Sequence, residues 1–244
     1  MARGWAPTAS YLDRSPARAG GCEMGVRRTF WWRTAGVPRG ALGRFGARMM
    51  LRINRGNYAL IASTLQITAD DDVLDVGCGS AAMLGTHAGS ARRVAGIDAS
   101  PLQVERARER LAGRIRAGTA EVVTGDAAAL PWPDGTFTVV TSMHCMKFLA
   151  DPPAALLEMR RVLRPGGRLG VVFCDAVRRP PATGRVDPWG QWVWSPADAR
   201  RLAEEAGFVD VEASVLGRPP CLFVRGTRPD EEAATDGSAE RHIR

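Results

Sequence analysis

The sequence predicts an α/β fold: a mostly parallel sheet with helices on both faces. Three observations predict it. Short apolar segments recur along the chain, a turn and a helical segment follow most of them, and the apolar segments lack the in-out alternation of half-exposed strands. With 244 residues, 45% of them hydrophobic and 24% charged, the chain can bury the core of one elaborated domain.

The elements follow in chain order. Residues 1–35 form a basic arm rich in Ala, Gly, Arg and Pro, without periodicity, and are expected to be disordered. The folded domain spans 36–225. A helix over 47–66 carries an apolar stripe of Met50, Ile53, Leu60, Ile61 and Leu65. The core of the domain, 72–174, begins with strand Asp72–Val76, helix Ser80–Ala88 and strand Arg92–Ile97. Ser100-Pro101-Leu102-Gln103 then opens a helix, with the pattern of a capping box and a proline in its first turn. Strands Glu121–Thr124 and Phe137–Ser142 come next. A helix starts at Asp151-Pro152 and runs to about Leu163, where Arg164-Pro165-Gly166-Gly167 stops it ahead of strand Leu169–Cys174. A long connection over 175–195 leads to a helix capped by Ser195-Pro196 and ending at Gly207. Strands Val209–Val215 and Leu222–Arg225 close the domain, and 226–244 reads as a frayed tail.

The net charge of +7 is unevenly placed. Residues 1–60 hold 11 Arg and only two acids, Asp13 and Glu23, whereas the remainder holds 22 basic and 24 acidic side chains. The body is therefore near neutral. With 32 Arg against the single Lys147, the arginines do not argue for nucleic acid as a partner. The five cysteines (Cys22, Cys78, Cys145, Cys174 and Cys221) are odd in number and widely spaced. They read as reduced thiols of a cytoplasmic protein, with no metal site. No apolar run approaches the length of a membrane span. Nothing in the sequence chooses between a monomer and a homodimer.

In an open parallel sheet, ligands sit at the carboxyl ends of the strands. After the first strand comes Gly77-Cys78-Gly79-Ser80-Ala81-Ala82, a turn whose glycines let the backbone approach a ligand closely. Asp98 follows 21 residues after Gly77, where a carboxylate can take both hydroxyls of a ribose. These two features fit a dinucleotide equally well and specify only an adenosine-type ligand. Asp75 narrows the choice, because a carboxylate two residues before Gly77 crowds a pyrophosphate but suits an ammonium and a sulfonium. Gly125-Asp126-Ala127 adds a carboxylate able to accept from an exocyclic amine. The two tyrosines, Tyr11 and Tyr58, both precede the first strand, and no Tyr-x-x-x-Lys occurs, which weighs against hydride transfer.

On these residues the sequence resembles the class I S-adenosylmethionine-dependent methyltransferases, within them the type 11 family related to ubiquinone and menaquinone methyltransferases. The resemblance runs from about Asp72 to Arg225. It rests on Val73-Leu74-Asp75-Val76-Gly77-Cys78-Gly79, Gly96-Ile97-Asp98-Ala99-Ser100-Pro101, Gly125-Asp126-Ala127 with Leu130-Pro131, Arg160 to Gly167, and Ala203-Glu204-Glu205-Ala206-Gly207-Phe208. It implies a Rossmann-like sheet of seven strands with the last inserted antiparallel, and S-adenosylmethionine as cofactor. It also implies that Asp98 and Ala99 hold the ribose side, that Gly125, Asp126 and Ala127 flank the adenine, and that Asp75 with Gly77, Cys78 and Gly79 holds the methionine part. Backbone at Ser142 and Met143 would meet the methionine amine or carboxylate.

Methyl transfer from a sulfonium needs alignment and exclusion of water, and a base only where the acceptor must lose a proton. His144, after the fourth strand, is the candidate base. The acceptor pocket is expected from Asn54, Asn57 and Tyr58 in the first helix, with Trp31, Trp32, Met49 and Met50 before them, and from Trp189 and Trp192 in the long connection. The expected acceptor is a small molecule, quinone-like or a secondary metabolite, methylated at O, N or C. Alternatives are a cyclisation on the same cofactor site and an RNA methyltransferase using the basic arm.

Overall fold

The computed structural model describes residues 52, 54–174, 185–186, 192–218 and 220–230. The basic arm, Trp31, Trp32, Met49, Met50 and Trp189 therefore lie outside the described residues, as do the start of the first helix and most of the 175–195 connection.

A seven-stranded sheet carries the domain, in the order β3-β2-β1-β4-β5-β9-β8. Its strands are β1 (Asp72–Val76), β2 (Arg93–Asp98), β3 (Ala120–Thr124), β4 (Phe137–Met143), β5 (Leu163–Cys174), β8 (Val209–Leu216) and β9 (Cys221–Thr227). The two-residue strands β6 (Arg185–Val186) and β7 (Trp192–Val193) pair separately. Strands β1 to β5 run parallel, whereas β9 lies antiparallel between β5 and β8. This is the mostly parallel arrangement the sequence predicts, with the last strand inserted in reverse.

Six helices flank the sheet among the described residues: α1 (54–64), α2 (Ala82–Thr86), α3 (Pro101–Arg110), α4 (Ala112–Arg116), α5 (Pro152–Val162) and α6 (Pro196–Glu205). Because side chains alternate faces along a strand, β1 feeds two cores. Leu74 and Val76 join Val140, Val171 and Phe173 under α5 and α6 through Leu156, Met159 and Leu202. Val73 joins Val94, Val139 and Phe223 under α1 to α3 through Ile61, Met83, Leu84 and Val104. All five residues of β1 are buried, so it reads as a continuous apolar run interrupted only by Asp72 and Asp75.

Four local expectations are corrected. Ser100 sits at the N-cap of α3, but its hydroxyl makes no capping bond. The Asp98 carboxylate takes the Ser100 N–H instead, at 2.8 Å, and the capping box does not form. Helix α2 is also shorter than Ser80–Ala88 and begins after Ala81, which is held at φ 54°. Arg164-Pro165-Gly166-Gly167 does not separate helix from strand by a plain turn. Leu163 already pairs with Phe137 and the ladder resumes at Arg168 with Val139, so the four residues bulge out of β5. Gly166 supplies the positive φ of 70°, and its N–H donates to the Arg228 carbonyl at 2.9 Å while Arg228 N–H donates to Gly167 O at 2.9 Å. That reciprocal pair explains the fourth difference. Strand β9 continues through Gly226 to Thr227, beyond the Arg225 at which the tail was expected to begin. The caps at Asp151 and Ser195 are as expected, each accepting from the N–H three residues on.

Candidate functional site

The parallel strands bring the carboxyl ends of β1, β2, β3 and β4 to one edge of the sheet, where the chain reverses its winding beside β1. The turn after β1 is fastened from beneath: Gly77 N–H and Cys78 N–H both donate to Ile97 O, at 2.8 and 3.0 Å. Gly77 and Gly79 have φ of 73° and 53°, open to glycine at little cost. A Cβ on Gly77 would also run into the side chain of Cys145, so the turn leaves no room for one.

Two carboxylates bracket this turn. Asp75 is 1% exposed, and its Oδ1 accepts from Thr141 Oγ1 at 2.8 Å. Burial lifts its carboxyl to about 7, reinforced by the charge of Asp98 and opposed by the Thr141 bond. Asp98 is partly buried; Oδ2 accepts from Gly79 N–H and Oδ1 from Ser100 N–H, each at 2.8 Å. Its carboxyl is also raised by burial, with the two backbone bonds opposing. No Arg, Lys or His among the described residues makes an ion pair with either carboxylate. Among the described residues the pair therefore forms an acidic recess without an ion-pair partner.

The other expected cofactor residues lie around it. Gly125 N–H donates to Asp98 O at 3.2 Å, which ties the turn after β3 to the end of β2. Asp126 is exposed and accepts from Ala128 N–H at 3.0 Å, while Ala127 is buried and Ala99 exposed. Ser142 and Met143 are buried at the end of β4. His144 follows, 6% exposed and held at φ 60°, an uncommon backbone state for a histidine. Cys78 is buried, and burial with Asp75 and Asp98 pushes its thiol far up; the same causes act on Cys145. Both are thiols, not thiolates, and neither suits nucleophilic work.

Helix α1 shares a core with Val73 of β1 through Ile61, and Tyr58 packs against the same core. Burial and the charge of Asp75 raise the Tyr58 phenol, and the Asn54 amide donates to its oxygen. Asn54 and Asn57 are buried, the latter against Gly217 in the β8–β9 turn, where a Cβ would collide with its amide. The structure thus brings Asn54 and Tyr58 beside the cofactor turn. Trp192 lies in β7, two residues before Trp194, which is buried edge-on against Phe173 at 5.1 Å between ring centroids and belongs to the core.

Sequence reasoning missed two residues. Thr141 is the fully buried hydroxyl that holds Asp75, and its signal was a polar residue within the apolar run of β4. Gln103 is 92% buried next to the Gly79 loop, a polar residue in the stripe it shares with Val104 and Ala107.

A family model described as a methyltransferase domain matches residues 74–171, from β1 into β5. A 2-phytyl-1,4-naphtoquinone methyltransferase from Thermosynechococcus vestitus is 30% identical over 65% of this chain and 71% of its own length. A demethylmenaquinone methyltransferase from Tropheryma whipplei is 38% identical over 46% of this chain, and the chain spans 44% of that protein; it spans less than half the length of several curated relatives. Among solved structures, the S-adenosylmethionine-dependent methyltransferase SibL in its apo form superposes with a TM-score of 0.60 at 23% identity, covering 90% of this chain and 73% of that one.

Proposed function

The chain belongs to the type 11 family of class I S-adenosylmethionine-dependent methyltransferases, and we propose that it methylates a small, quinone-like ring acceptor. One observation carries the cofactor side: the buried Asp75 and the partly buried Asp98 flank a glycine turn, and no ion pair among the described residues neutralises either. A ligand bearing an ammonium and a sulfonium supplies the missing positive charge. The donor set suits the rest of that ligand. Each Asp98 oxygen accepts one backbone N–H, which leaves lone pairs for two ribose hydroxyls.

When bound, S-adenosylmethionine supplies a methyl carbon already activated for displacement. The protein's own residues hold and shield the reactants. Asp98 and Ala99 take the ribose side, Gly125, Asp126 and Ala127 the adenine, and Asp75 with Gly77, Cys78 and Gly79 the methionine part, with the backbone of Ser142 and Met143 at its end. His144, buried after β4 in a strained backbone state, takes the proton from an acceptor hydroxyl; strain of that kind tends to collect where function holds it. Asn54, Asn57 and Tyr58 wall the acceptor space. The quinone methyltransferases among its relatives support the acceptor class.

Two measurements test the reading. Titration calorimetry with S-adenosylhomocysteine should show one site per chain; no binding sinks the cofactor assignment. Incubation with S-adenosylmethionine and a panel of naphthoquinol and benzoquinol acceptors should release S-adenosylhomocysteine. Tight cofactor binding with no release from any ring acceptor would remove the acceptor class alone.

A further inference from the structure

Gln103 stands where a capping-box glutamine would turn back to the start of α3, yet its side chain does something else. It is 92% buried. Its Oε1 is shielded from solvent and has no hydrogen-bond partner. The nearest side-chain atom to the position of a Cβ on Gly79 is its Nε2, at 3.8 Å. The amide thus lies beside the glycine turn whose Gly79 N–H the Asp98 carboxylate holds. A buried carbonyl oxygen left unpaired costs on the order of 1–3 kcal/mol, so the position is unfavourable for the ligand-free fold. Leucine or methionine would fill the same stripe beside Val104 and Ala107 without that cost.

We propose that the Gln103 amide is a specificity-determining contact to the ribose of the bound cofactor, acting with Asp98 on its hydroxyls. A hydroxyl both donates and accepts, so it can satisfy the Oε1 that the fold leaves open, and Asp98 next to it already marks the ribose side. The inference rests on the cofactor reading above.

The test uses the full chain with Gln103→Met and Gln103→Leu, each titrated with S-adenosylhomocysteine and with its 2′-deoxy and 3′-deoxy analogues. Removing one neutral hydrogen bond should weaken S-adenosylhomocysteine about threefold to tenfold. The melting temperature of the ligand-free variants should stay level or rise, because an unpaired buried amide has been removed. The penalty for losing one of the two hydroxyls, full in the wild type, should shrink in both variants. The inference is overturned if both variants bind S-adenosylhomocysteine as the wild type does, or if the deoxy penalties are as large in the variants as in the wild type. A lower melting temperature with unchanged deoxy penalties would assign Gln103 to packing. Failure of the wild type itself to bind S-adenosylhomocysteine would overturn the cofactor reading instead.

Discussion

Replacing Asp75 by asparagine should make the ligand-free protein more stable, and the gain should depend on pH. In the folded chain the Asp75 carboxyl is lifted from 3.8 to about 7, chiefly by burial. Between those pH values the native state holds a proton that the unfolded chain has released, so native stability falls as pH rises and levels off above about pH 7. Each pKa unit is worth about 1.4 kcal/mol, which puts the full cost above neutral pH at about 4 kcal/mol. Asparagine removes that cost and keeps an oxygen for the Thr141 hydroxyl, but it buries an amide N–H₂ without a partner, at about 1–2 kcal/mol. The net gain is roughly 2–3 kcal/mol at pH 8. For a chain of this size that corresponds to a rise of about 4–12 °C in melting temperature. The gain should shrink by about 1.4 kcal/mol per pH unit below pH 7 and vanish near pH 5. Thermal melts of both proteins from pH 5 to pH 8 would show it. Parallel curves, with the same offset at every pH, would refute the reasoning, because the carboxyl would then not be protonated in the native state near neutrality.

Further predictions concern neighbouring residues. Asp98→Ala should cut S-adenosylhomocysteine affinity at least tenfold by calorimetry, since it removes two carboxylate acceptors from the ribose side and the anchor of Gly79 N–H. Gly77→Ala should destabilise by at least about 2 kcal/mol, combining a positive φ with the collision against Cys145; adding Cys145→Ala should not restore the loss, because the Cβ of residue 145 is itself 2.5 Å from the new methyl. His144→Gln should lower kcat about 100-fold or more with an acceptor that must lose a proton, and leave S-adenosylhomocysteine affinity unchanged. Native-state thiol titration should find Cys78 and Cys145 unreactive near neutral pH, as their raised thiols require.

Most of the fold was legible because β1 to β5 are short apolar runs with turn residues at their ends, and such runs report burial directly. Phe137–Ser142 and Asp72–Val76 match the observed strands to within a residue. The glycine turn and the acids near the ends of β1 and β2 were legible as a site because their spacing is local. The departures arise where a distant partner decides. Asp98 takes the Ser100 N–H to which a capping-box Gln103 would turn back, and the Arg164–Gly167 bulge depends on Arg228, more than sixty residues later. The backbone state of His144 leaves no trace in composition. Gln103 was readable in principle, since a glutamine in a buried stripe conflicts with its neighbours, but the capping pattern offered a simpler account of the same residue.

The two ends of β1 show why the site can be assigned to the carboxyl edge. Acids are buried at both. At the amino end, Asp71 pairs with Arg168 and accepts from Thr138 and Thr68, while Asp72 takes Arg92 and Arg164. Burial alone would raise the Asp71 carboxyl, yet the bonds from Thr68, Thr138 and Arg168 outweigh it and hold the group low. At the carboxyl end, 1.5 nm or less along the same short strand by its five-residue length, Asp75 has one hydroxyl for company and its carboxyl is driven up. Among the described residues, three arginines pair with the acids at the amino end and none with those at the carboxyl end. Ala81 and His144 add positive φ at the carboxyl edge, and the Ser80 hydroxyl and Gln103 amide are left unpaired there. Each of these is unfavourable in the ligand-free fold. The concentration of the unpaired polar groups at one edge is what a seat for a cationic ligand requires, because a bound partner can satisfy the carboxylates, the hydroxyl and the amide oxygen where a packed core cannot.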